Sequence, residues 1–106
     1  MAKYLIHASY TAEGVKGLIK DGGSVRRAAA KAAIESLGGK LEAFYFAFGD
    51  SDVIAIFDAP DNVTMSALSL TVGSSGAVST RTTVLLTPEE VDQVVKKTAS
   101  YRPPGK

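Results

Sequence analysis

The chain holds one histidine, His7, and no cysteine. Acid–base chemistry near neutral pH therefore has a single imidazole to use, and thiol chemistry has no residue at all. His7 falls in the middle of "KYLIHASY", whose alternation reads as a strand from Lys3 to Ser9. Leu5, His7 and Ser9 point to one side, while Tyr4, Ile6, Ala8 and Tyr10 point to the other. In a later strand-like run, Ser79, Arg81 and Thr83 share one parity. Where the register permits, His7 and Arg81 form a candidate catalytic pair: the imidazole moves a proton and the guanidinium holds a carboxylate or enolate oxygen. The plainer reading of a lone strand histidine is a packed, hydrogen-bonded residue. Tyr10 and Tyr45 offer phenol hydrogen bonds to a ligand, although an aromatic ring with a polar tip also suits the edge of a core.

The carboxylates gather in "FGDSDVIAIFDAPD". Asp50, Asp52 and Asp58 flank an apolar run there, and Asp61 follows a proline. As a site, Asp52 would join Asp50 and Asp58 around a hard cation or another ligand. The calcium-loop spacing is missing and no histidine joins them, so no metal and no cofactor is expected. Asp favours turns and caps because its carboxylate bonds nearby backbone N–H groups. All four are expected to serve structure: Asp50 and Asp52 at a hairpin turn, Asp58 at a strand end, Asp61 at a helix start. Lys16, Lys20, Arg26, Arg27 and Lys31 form the main basic run, interleaved with Ala and Gly and read as a solvated helix face. A phosphate at "DGGS" is the alternative there, but the glycines follow neither a P-loop nor a dinucleotide pattern.

These residues need elements to hold them. After the first strand, Thr11 caps a helix with Glu13 in its first turn. "KDGGS" breaks it, and a second helical segment runs to about Leu37, with Val25, Ala28, Ala29, Ala32, Ala33 and Leu37 as its apolar stripe. Gly38 and Gly39 end it. Leu41–Phe48 reads as a strand with Phe44, Phe46 and Phe48 on one face. Val53–Phe57, apolar on both faces, reads as a central strand. Next comes a helix from about Asp61 with Met65, Leu68 and Val72 at core spacing, then a strand over 78–86. "TPEE", Thr87–Glu90, is a capping box with proline at the first helical position. It opens a short C-terminal helix carrying Val91, Val94 and Val95.

The order β-α-β-β-α-β specifies an α+β ferredoxin-like plait: a four-stranded antiparallel sheet, helices on one face, and an extra C-terminal helix. Residues 1–106 are expected to form one domain with an irregular tail over 99–106. Helices cover only one side of such a sheet. Whichever parity faces out, apolar groups remain there, either Phe44, Phe46 and Phe48 or Ile54 and Ile56. Burying roughly 600 Å² of that surface per subunit would contribute about 15 kcal/mol before the costs of association. A homodimer or higher oligomer through the open sheet face is the expectation.

The stretch "SLGGKLEAFYFAFGDSDVIAIFDAPD" resembles the signature region of the GYD-domain family. "YTAEGVKGL", "GSSGAVSTRTT" and "TPEE" resemble its other landmarks in order, from Tyr4 to Glu90. In the family's G-x-Y-D turn, Gly49, Ser51 and Asp52 stand here, with serine in place of tyrosine. The resemblance implies a ferredoxin-like, dimeric α+β-barrel protein and brings no catalytic assignment.

Twelve basic and eleven acidic side chains leave a net charge of +1, too little field to hold a polyanion, so no nucleic acid is expected as partner. No run of residues suits a membrane span or a secretory leader, and a cytoplasmic protein with no membrane partner is expected. Two functions compete. One is a small-molecule binding or sensing module. The other is a cofactor-independent isomerase or oxygenase acting on a small acidic organic substrate. A pocket containing His7 and Arg81 favours the enzyme; an apolar pocket without them favours binding.

Overall fold

The computed structural model describes residues 1–106. Its elements are β1 (Ala2–Tyr10), α1 (Ala12–Asp21), α2 (Gly23–Ser36), β2 (Lys40–Phe46), β3 (Val53–Ala59), α3 (Asn62–Ser74), β4 (Val78–Leu85) and α4 (Pro88–Val94). The strands form one antiparallel sheet in the order β2-β3-β1-β4. This is the α+β plait that the element order specifies, with β3 and β1 at its centre.

Local signals set most boundaries. The Thr11 side chain accepts from the Gly14 N–H at the start of α1, and Asp61 does the same for Thr64 at the start of α3. Gly22, at φ 82°, closes α1 by donating to the Leu18 carbonyl and swings the chain into α2. That left-handed geometry favours glycine, which is why the break falls there. Thr87 and Glu90 complete the reciprocal capping box of α4.

The core lies between the sheet and α2 and α3. Tyr4, Ile6, Ala8, Val53, Ala55 and Phe57 send one parity inward against Ile34, Met65 and Leu68. Gly14 lets α1 approach the loop between α3 and β4: a Cβ there would stand 2.1 Å from the Ala77 carbonyl oxygen. α2 lies over β2 and α3 over β4, so β3 and β1 run beneath the gap between the helices.

Three expectations need correcting. The inward edge of α2 is Arg26, Ala30, Ala33 and the fully buried Ile34, while Val25, Ala28, Ala29 and Ala32 are exposed. The alanine-rich segment has little amphipathic contrast, so its rotation is set by where Ile34 finds the sheet. Arg26 consequently leaves the solvated face on which the basic run was placed.

The second strand stops at Phe46. Phe48 lies outside it, at φ 41° and largely exposed, with its ring stacked on Phe46. Phe44 and Phe46 face the helices, and a bulge between Leu41 and Ala43 resets the register of β2. The uncovered face therefore carries Leu5, Ile54, Ile56 and Tyr45 rather than the phenylalanines.

Candidate functional site

The register between β1 and β4 pairs His7 with Arg81, and that between β1 and β3 pairs His7 with Ile54. The two candidate catalytic residues are thus direct cross-strand neighbours on the uncovered face. Between them sits Ser51, which the turn reading left as a mere substitution. Its Oγ lies 3.3 Å from His7 Nδ1 and accepts a 2.9 Å hydrogen bond from Arg81 Nη2. The hydroxyl is thus the hydrogen-bond partner that the imidazole and the guanidinium share. Ser51 is only 4 % exposed, so it acts as a connector that fixes the ring, not as an open nucleophile.

Ser51 reaches this place because the β2–β3 loop continues along β1 after the ladder ends. Asp52 N–H donates to the Ala8 carbonyl, and Asp52 Oδ2 accepts from the Tyr10 N–H, both at 2.8 Å. The carboxylate that was a ligand candidate is therefore spent on strand β1, consistent with its turn role. Asp58 takes a 2.9 Å ion pair from Lys3, which also reaches Glu42 at 3.1 Å. These two carboxylates hold the Lys3 ammonium above its ordinary pKa, mainly through the hydrogen bond that it donates to Asp58. Asp61 accepts the Thr64 N–H, and that backbone bond lowers its pKa. Asp50 is exposed in the loop. Each of the other three aspartates has a separate bonding partner, and the group does not converge on one point.

An apolar cavity lies on the opposite side of the sheet from His7 and Arg81. It is a cleft of about 180 Å³ between α2 and α3, floored by β1, β3 and β4, and 14 of its 17 lining residues are hydrophobic. Its existence follows from the small side chains of α2. Ala29, Ala30 and Ala33 leave space that larger residues would fill, and Val72 and Ser69 of α3 stand across the gap. The polar exceptions are Arg26, Ser69 and Thr80.

Tyr10, a ligand-binding candidate, is in the wall beside Arg26. Burial raises its phenol pKa and the Arg26 guanidinium opposes that rise, so the hydroxyl stays a neutral donor through the physiological range. Tyr45 goes elsewhere: it is 70 % exposed on the uncovered face, opposite Ile54.

The sequence reading missed Ser51 and Arg26. For Arg26 a signal exists, because counting back from Ile34 by four and eight residues gives Ala30 and Arg26, a helical face anchored on the one large residue of α2. For Ser51 no local signal exists; its partners are 44 and 30 residues away in the chain.

The family model described as GYD domain matches residues 4–95 of the 106. No match was found among curated proteins. None was found among solved structures either.

Proposed function

The chain belongs to the GYD-domain family, and from that premise we propose that it is a self-associating module that binds a small molecule with an apolar body. The observation that carries this reading is the division of labour between the two sides of the sheet. One side holds the apolar cleft under the helices. The other holds Leu5, Ile54 and Ile56, with Tyr45 largely exposed beside them, a surface suited to a second copy. Apolar lining with few polar groups is the usual make-up of a ligand pocket. The cleft contains neither His7 nor Arg81, which weighs for binding over turnover. A second copy packed on the open face would also cover the His7–Ser51–Arg81 cluster.

The test is a screen of small apolar fragments by ligand-observed NMR, with assigned amide spectra of the protein. Hits are expected to compete for one site and to shift amides of α2 and α3. A screen without competing hits rejects the binding reading. Self-association is tested by light scattering at micromolar concentration: a dimer or larger species is expected, and Ile54→Lys is expected to produce monomer. A wild-type monomer with the open face bare rejects that part.

One observation favours the cofactor-independent enzyme as a second reading, namely the bonded constellation of His7, Ser51 and Arg81. It requires that the open face stay accessible. On a small acidic substrate that the protein turns over, His7→Ala would abolish activity; retained turnover removes His7 as catalyst.

A further inference from the structure

The cleft is apolar in shape but not neutral in charge. It has one cation in its wall, Arg26, and no carboxylate among its lining residues. Arg26 is also the odd member of its helix. Arg27 and Lys31 are exposed, whereas Arg26 is half-buried on the inward edge with Ala30 and Ala33. The one carboxylate in ion-pair range is Asp21, whose Oδ2 is 3.8 Å from Nη1, and both side chains are more than a third exposed. A pair that long and that wet holds its guanidinium weakly, so Arg26 keeps donors for another anion. Tyr10 stands beside it with a neutral phenol hydroxyl as a second donor.

The remaining walls fix the other end of the ligand. The cleft, at about 180 Å³, slightly exceeds the apolar cavity of about 150 Å³ that accepts a benzene molecule. An aryl ring or a short branched alkyl chain fills that space. A single guanidinium balances a single negative charge, and its planar fork matches a carboxylate. A dianionic phosphate would leave one charge uncompensated beside apolar walls, at a steep desolvation cost.

We propose that the cleft between α2 and α3 binds a small monocarboxylate with an aryl or short alkyl body, the carboxylate on Arg26 and Tyr10 and the body against Ala30, Phe44 and Val72. This rests on the binding reading given above and names the ligand class of the same cleft. Arg26 is a specificity residue here, since it separates the acid from the equally apolar alcohol.

The experiment uses the full chain and two probes of matching carbon skeleton, phenylacetate and phenethyl alcohol, titrated by calorimetry and by amide chemical shifts. Phenylacetate is expected to bind saturably at the cleft, more tightly than the alcohol. Arg26→Gln is expected to weaken phenylacetate about ten-fold or more, the loss of a charge-assisted hydrogen bond, and to leave the alcohol within about two-fold. Arg26→Lys is expected to restore part of the loss. Ala30→Leu, which fills the cleft, is expected to remove both probes while the circular dichroism stays native.

If the alcohol binds as tightly as the acid and Arg26→Gln changes neither, the carboxylate assignment is overturned and the apolar cleft stands. If phenylacetate binding survives Ala30→Leu, the acid lies elsewhere and the assignment also falls. If neither probe binds and the fragment screen is blank, the cleft as a ligand site falls with it.

Discussion

Ser51 is the residue on which the polar cluster of the open face depends. It accepts from Arg81 and shares a hydrogen bond with His7, and it is buried while doing so. Removing its hydroxyl leaves a ring nitrogen and a guanidinium without their shared partner. Ser51→Ala is expected to lower unfolding free energy by about 1–3 kcal/mol, read from urea midpoints at constant slope. A larger residue at Ser51 has to displace the loop, because the position is almost fully enclosed.

Gly14 is constrained for a different reason. The Cβ of Gly14→Ala would meet the Ala77 carbonyl oxygen at 2.1 Å and the Tyr10 ring at 2.8 Å. Since one obstacle is backbone, it cannot rotate away. The variant is expected to be destabilised by about 1–3 kcal/mol, with the loss visible as a lower thermal midpoint.

At the level of elements, caps do the positioning, and one of them titrates. The Asp61 carboxylate receives the Thr64 N–H at the start of α3, and that bond lowers its pKa below the ordinary 3.8. A group with a depressed folded pKa stabilises the fold above its unfolded value and loses that contribution as pH falls through the folded value. The stability gap between wild type and Asp61→Ala is therefore expected to be constant above about pH 5 and to shrink below pH 4. Parallel urea titrations at several pH values measure it. A gap that holds steady into strong acid would show that the carboxylate does not cap α3.

The same level explains α2. Alanine fills a helix well but says little about which way the helix faces. Its sequence pattern admits more than one rotation, and only the docking of Ile34 selects the one that turns Arg26 toward the cleft.

For the molecule as a whole, the radius of gyration is 16.8 Å and the longest extent 57 Å, whereas a compact chain of this length has a radius near 13 Å. The excess is the C-terminal arm. Every residue from Pro88 to Lys106 is exposed, including Val91, Val94 and Val95. A helix whose residues are all exposed contributes little to the stability of what it leaves. Ending the chain after Thr87 is expected to keep the monomeric unit's unfolding midpoint within a few degrees.

The element order, most caps, the central strands and the inward set Met65, Leu68 and Val72 were legible in the chain, because each follows from periodicity or from a bond only three or four residues long. The α+β plait follows from that order, since few ways exist to cover one sheet with these helices. Which parity of β2 faces the helices was not legible, because the bulge between Leu41 and Ala43 changes it. Nor was the place of Ser51 between His7 and Arg81, or the inward turn of Arg26 beside Tyr10. Strand register and helix rotation are set by packing between segments far apart in sequence. A local pattern carries the shape of each piece, but the side chains that share a site are chosen only when the pieces are pressed together.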